Sequence, residues 1–355
     1  TNYFFVVANK KDEKKLITEG NKRVVDARLS DAKFFWEKDR SKNLIKQIAN
    51  LKTITFYEKI GTIYDKTQRI RSLAGLLSDE LNINKEKVQV AASISKSDLC
   101  SDLVGEYPEL QGVMGKHFAL AQGFEEDVAN SINEHYLPIG LTSAIPKKPF
   151  SYSIAIVDKI DSLVGFFLIN EKPTSSKDPF ALRRSAIGLL RIIIENKLSI
   201  KLRDLINYAI RLYEEQGVQI KNENTEKEVF DFLKERMRNI LKLKNIKADI
   251  IEASISSHSG DNFLDLYKKN LLMNKYINKD VGMNAINSYK RASNITDKVD
   301  KEITGRPDAV LFRTEEEKIL FEKINEIRKA FTVKESNKDY ENLLIRLSET
   351  KQFTD

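Results

Sequence analysis

The chain has 355 residues, 41% hydrophobic and 31% charged, which is enough to fill the cores of two or three domains. A single cysteine, Cys100, excludes an internal disulfide and a cysteine metal cluster and suits a reducing cytosol; no apolar run reaches the roughly 18 residues of a membrane span, and no signal-peptide pattern opens the chain. A net charge of +7, with a pI near 9.1, points to polyanionic partners, nucleic acid first, although charge restricts partners only loosely.

Tyr3–Ala8 is a short apolar run that predicts a strand, and NKKDEKK after it reads as a turn. Phe56, Ile60, Ile63, Thr67 and Ile70 recur at helical spacing and predict an amphipathic helix, with Lys59, Lys66 and Arg69 on another face. Asn82 and Asn84 break the pattern, and Val88–Leu103 resumes it. Gly105, Pro108, Gly112 and Gly115 mark a bend or short helices. Glu125–Tyr136 reads as a helix stopped by Pro138, and Pro146 and Pro149 bound a loop. Ile154–Phe167 and Leu182–Ile194 are apolar enough to be largely buried. After Lys221 the composition shifts to Asn and Glu, which places a domain boundary near residues 215–225. The remainder reads as a helical bundle, with Thr314 and Glu317 as a capping box before Leu320, Ile324 and Ile327.

Three groups of residues carry possible chemistry. The first is the loop Lys172–Arg184, KPTSSKDPFALRR, where Lys177, Arg183 and Arg184 lie beside hydroxyls and the start of an apolar helix. Cations, hydroxyls and free helix N–H groups together suit a phosphate, and a solvated loop before a buried helix has the same composition. The second is a set of acids: Asp98 and Asp102, four apart on an expected helix, and Asp158 and Asp161, three apart on a later one. Carboxylates hold a divalent metal best with imidazoles beside them, and none of His117, His135 and His258 is followed by Asp. His135 shares a helical face with Val128 and Ile132 and reads as a core histidine; His117 reads as exposed. The third group is two basic stripes. Lys234, Arg238 and Lys242 repeat at four-residue spacing behind an apolar face of Val229, Leu233, Met237 and Ile240. Around Tyr289, the residues Ile286, Tyr289 and Ala292 are expected to face inward, and Lys290, Arg291, Asn294 and Lys298 outward. Basic groups contact phosphates, Asn reads base edges and Arg planes stack on unpaired bases. Walker-type and dinucleotide-binding loops are missing from the sequence, as is a readable catalytic triad, so no catalytic residue and no metal ligand is assigned.

The loop KPTSSKDPFALRR with the helix SAIGLLRIII resembles the beta subunit of the bacterial two-subunit glycyl-tRNA synthetase. So do FFWEKDR, FYEKIGTIYDKTQRI, DLVGEYPELQGVMG, NEHYLP and VDKIDSLVGFF, in the family's order, and Phe263–Ile295 resembles its anticodon-binding part. The resemblance implies a mainly α protein in three stretches: residues 1–50 as the end of a preceding body domain with a short β remnant, 51–218 as an all-helical HD-like domain, and 219–355 as a helical-bundle anticodon-binding domain. Family members extend before the point that Thr1 resembles and beyond the region of Phe353, so a central-to-C-terminal fragment is expected. HD domains often hold divalent metals for phosphohydrolysis; without a His-Asp pair, a scaffold lacking its metal is expected here.

The resemblance also implies glycine tRNA and the alpha subunit as partners, a heterotetrameric cytoplasmic ligase, and ATP and Mg2+ handled by the alpha subunit with no cofactor in this chain. Lys177, Arg183, Arg184, Lys66 and Arg69 are the expected acceptor-arm contacts, and Lys290, Arg291, Asn294, Lys298, Lys234 and Arg238 the expected anticodon contacts. Two rival functions stay open on the sequence: an HD-type metal-dependent phosphohydrolase and a non-enzymatic RNA-binding module.

Overall fold

A computed structural model describes residues 3–140, 142–258, 260–298, 307–331 and 339–354. The chain is mainly α-helical, and its described strands form one two-stranded antiparallel sheet. Two compact units emerge: one takes the chain up to Ile192 together with Arg203–Val229, the other Ile193–Leu202 together with the chain from Phe230 onward. No helix among the described residues is long and apolar enough to cross a membrane.

Residues 3–8, at the start of the first unit, form no strand, contrary to the expected β remnant. The unit continues through α1 (Leu16–Asp39) and the short α2 (Leu44–Gln47). The sheet lies instead at β1 (Thr55–Tyr57) and β2 (Gly61–Thr62), inside the segment expected to be helical from Phe56. Gly61 turns the chain at φ +93°, where a Cβ would sit 2.7 Å from a carboxylate oxygen of Asp65. Thr62 and Asp65 then form a capping box, so α3 (Ile63–Leu81) begins seven residues later than the spacing predicts.

Asn82 ends α3 in the left-handed conformation, and Asn84 caps α4 (Lys85–Ile94) by accepting from Lys87 N–H. Asp98 and Asp102 do not share a helix. A 3-10 turn ends at Cys100, extended Ser101 intervenes, and Asp102 opens α5 (Asp102–Glu106). Next come α6 (Val113–Ala121) and α7 (Glu126–Glu134), before a loop that closes at α8 (Pro149–Leu168) with proline in its first turn. Helix α8 is buried on nearly every side and is the centre of the unit. Ile70, Leu73 and Leu77 of α3, Val88 and Ala91 of α4, and Ile154, Val157 and Leu163 of α8 are fully buried, each contributing about 1.5–3 kcal/mol for the larger side chains. Helices α9 (Leu182–Glu195) and α10 (Leu202–Glu215) add Leu189, Leu190, Ile206 and Ala209 to buried surface.

The later helices are α11 (Thr225–Leu243), α12 (Ala248–Ser257), α13 (Phe263–Tyr276), α14 (Asp280–Thr296), α15 (Glu315–Phe331), α16 (Tyr340–Glu349) and α17 (Lys351–Thr354). Leu233, Met237, Ile251, Phe263 and Leu266 form the core of the second unit. The capping box at α15 forms as the sequence predicts: Glu317 N–H donates to Thr314 Oγ1, and the Glu317 carboxylate accepts from Thr314 N–H.

Candidate functional site

A cluster of charged side chains lies in the core of the first unit. Helix α8 carries Asp158, Lys159 and Asp161 in an otherwise apolar sequence, so these charges require partners. Helix α3 supplies two of them. Arg69 places Nε 2.6 Å from Asp161 Oδ1 and Nη2 3.2 Å from Oδ2, while Lys66 Nζ lies 3.0 Å from Asp161 Oδ2 and 3.3 Å from Asp158 Oδ1. Lys96, in the turn after α4, places its ammonium 3.3 Å from Asp158 Oδ1 and 4.1 Å from the Tyr136 ring centroid. Lys159 donates to the carbonyls of Leu137 and His135. Tyr213 of α10 donates to Asp161, and its ring stacks beneath the Arg69 guanidinium at 3.8 Å.

The cluster shifts the titration of its members. Burial opposes the charge on Asp158, but Lys66, Lys96, His135 and Lys159 outweigh it and hold that carboxyl well below the ordinary range. Asp161 is likewise held low, by Arg69 and Lys66, against its burial. Burial pulls Lys159 down to about 8 and lowers Lys96 as well. Asp98 is pushed up by burial, which its hydrogen bond from Gly112 N–H only partly offsets. His135, fully buried with Nδ1 3.2 Å from the Ser131 carbonyl, is driven low by burial, and the cationic neighbours Lys96 and Lys159 add to the shift.

This geometry withdraws two expected contacts. Lys66 and Arg69 are 3% and 0% exposed and bound to their own acids, so they do not offer cations to an acceptor arm. The acids are equally committed. Among the described residues no group of three or more His, Cys, Asp and Glu side chains is placed to hold a metal. Asp158 and Asp161 face ammonium and guanidinium groups instead, an environment that repels a divalent cation. Sequence reasoning missed Lys96, Lys159, Tyr213 and Gln216, whose side-chain oxygen accepts from Arg69 Nη1, as members of the cluster. The readable signal was the D-K-x-D sequence at 158–161 inside an apolar helix, which demands buried countercharges from elsewhere.

The loop at 172–184 is anchored by Phe180, stacked on Phe166 of α8 at 3.9 Å, and by a turn between Thr174 and Lys177. The N–H groups at the start of α9 are not free for a phosphate: Asp178 accepts from Leu182 N–H at 2.8 Å and Arg183 N–H at 3.0 Å. Arg183 is half-buried and donates to the Thr174 carbonyl. Lys177 and Arg184 are exposed. The structure therefore leaves two outward cations here and gives Arg183 a place in the loop's own framework.

In the second unit Lys234 and Arg238 are half-buried. Lys234 donates to the His258 carbonyl and Arg238 grips Glu252 with Nε 2.8 Å and Nη2 2.9 Å from its oxygens. Lys290, Arg291, Asn294 and Lys298 are exposed along α14 and just beyond it. The expected inward face of that helix is wrong in one respect. Tyr289 is 73% exposed, and Ala292 is exposed too, while Gly282 and Ser288 are buried.

These features define a mainly helical protein with a cluster of paired charges in one core and exposed basic residues on a loop and on helix α14. The chain belongs to the glycyl-tRNA synthetase beta subunit family, whose model matches residues 1–256. It is 40% identical over 347 residues to the glycine–tRNA ligase beta subunit of Rickettsia canadensis (strain McKiel), covering 98% of this chain and 50% of that protein. The beta subunits of Rickettsia africae (strain ESF-5) and Rickettsia felis (strain ATCC VR-1525 / URRWXCal2) are 38% and 37% identical, over 349 and 348 residues. The chain thus spans about half the length of the curated relatives it matches.

Proposed function

We propose that this chain is the tRNA-binding part of a glycine–tRNA ligase beta subunit, holding glycine tRNA for ATP-dependent aminoacylation carried out with the alpha subunit. Membership of the beta subunit family carries the reading. The first unit, in this reading, is an HD-like helical scaffold whose charged core is structural and whose Lys177 and Arg184 meet acceptor-arm phosphates. The second is an anticodon-binding domain that uses Lys290, Arg291, Asn294 and Lys298, with Lys234 and Arg238 at its margin. ATP and Mg2+ belong to the alpha subunit in a cytoplasmic heterotetramer, and the chain alone activates no glycine.

The contribution of such a chain to rate is positional. Fixing the acceptor end against an activated amino acid supplies the proximity advantage that a free encounter lacks. Asp158 and Asp161 face cations and not open space, which argues against the phosphohydrolase alternative. Binding of the complete beta subunit to glycine tRNA and to an alanine tRNA, across a salt series, tests the reading. Preference for glycine tRNA with a steep salt slope is expected; equal affinity for both, or glycine-dependent pyrophosphate exchange by the beta subunit alone, overturns it.

A further inference from the structure

Helices α13, α14 and α16 enclose an apolar groove of about 300 Å3 whose walls include Tyr276, Ile277, Ala285, Ile286, Tyr289 and Leu344. Gly282 permits the close approach of α14 to the end of α13: a Cβ there would lie 2.2 Å from the Tyr276 carbonyl oxygen. The two tyrosines differ. Tyr276 is fixed, its hydroxyl bound to Glu341 and its ring flanked by the ammonium groups of Lys275 and Lys279 at 4.8 and 5.3 Å. Tyr289 is 73% exposed at the mouth of the groove, next to exposed Lys290. An exposed aromatic of this size on a helix normally turns toward the core, and here the core face of the helix is small residues.

We propose that this groove is a slot for one unpaired nucleobase, with Tyr289 as its stacking platform and Lys290, which lines it, receiving a flanking phosphate. The proposal rests on the tRNA reading above and adds to it the residue that holds a base. Charge and shape select this occupant. The volume is at the small end of ligand sites, suited to a flat ring and not to a large apolar surface. Lys290 lines the groove and Lys275 and Lys279 flank its Tyr276 wall, while the nearby acid Glu341 is already engaged by Lys275 and Tyr276. An apolar, aromatic-walled slot inside a basic rim is how unpaired bases are taken from single-stranded loops, because every base has a π-face and carries a phosphate on each side.

The test uses the complete beta subunit, a glycine tRNA transcript, and transcripts in which one anticodon-loop nucleotide at a time is abasic. Tyr289→Ala is expected to weaken binding by about 5- to 150-fold, the range of one lost base stack, with the salt slope unchanged. Tyr289→Phe and Tyr289→Trp restore binding. One abasic position costs the wild type a similar factor and costs Tyr289→Ala nothing further. Wild-type affinity for Tyr289→Ala, or losses from the variant and from every abasic position that simply multiply, overturns the slot while leaving tRNA binding intact. Loss of alpha-subunit association at unchanged tRNA affinity makes the groove a protein-docking surface and also overturns it. A wild type that binds no tRNA removes the underlying reading and the slot together.

Discussion

Arg69 of α3 and Asp161 of α8 form a fully buried fork, with Nε 2.6 Å from Oδ1 and Nη2 3.2 Å from Oδ2. Each closes off a charge that its own helix places in the core. Gln216 and Tyr213 complete the guanidinium's bonding, so the fork also ties α10 to α3 and α8.

Breaking that fork is expected to be costly. Arg69→Met leaves Asp161 with the weaker compensation of Lys66 and Tyr213, and the loss expected is about 3–5 kcal/mol. Urea unfolding of Arg69→Met, Asp161→Asn and the double variant measures it. The double variant should lose clearly less than the sum of the singles, since the two side chains touch. Strict additivity would show that the fork contributes nothing as a pair.

Lys159 gives a pH signature. Its folded pKa of about 8 lies below the ordinary lysine value, so between that pH and about 10.4 the unfolded chain binds more protons than the folded one. Stability from this group therefore rises with pH over that window, by about 1–2 kcal/mol from pH 8 to 9.5. Lys159→Met should flatten the rise. Unfolding midpoints at the two pH values, compared between wild type and variant, decide it; an equal rise in both assigns the effect elsewhere.

The loop at 172–184 separates into framework and surface. Asp178→Ala removes the acceptor for Leu182 and Arg183 N–H and should lower stability by about 1 kcal/mol. Lys177→Ala with Arg184→Ala should leave the melting temperature nearly unchanged and weaken tRNA binding or slow glycyl transfer in the complete enzyme. Unaltered tRNA kinetics in the Lys177/Arg184 variant would reduce this loop to a structural role.

Charge reversal at Lys290 and Arg291 should weaken glycine tRNA binding and shallow its salt dependence, by roughly 0.7–0.9 in slope for each phosphate no longer neutralised. Log affinity against log salt reads this directly. A double variant with wild-type affinity and slope would leave that face of α14 merely solvated.

Gly282→Ala tests the close approach of α13 and α14. The added Cβ meets the Tyr276 carbonyl, so backbone must move, at a cost of about 1–3 kcal/mol. A thermal melt unchanged from wild type would show that the helices can part without loss.

The sequence by itself determined the helical class, the capped start at Thr314, the burial of α8 and the family, because helical periodicity, capping residues and local strings are properties of neighbours along the chain. It also held the signal for α3, a Thr and an Asp three apart after a glycine, which the apolar spacing from Phe56 overrode. What only the tertiary structure decided was which charges face water. Lys66 and Arg69 have the same sequence signature as an exposed basic stripe, and they become core residues only because Asp158 and Asp161 arrive from some ninety positions further along. Tyr289 shows the reverse: its helical register matched an inward face, and the shape of α13 and α16 around it left the ring outside. Ion pairing and burial depend on partners distant in sequence, and one helix's periodicity carries no record of them.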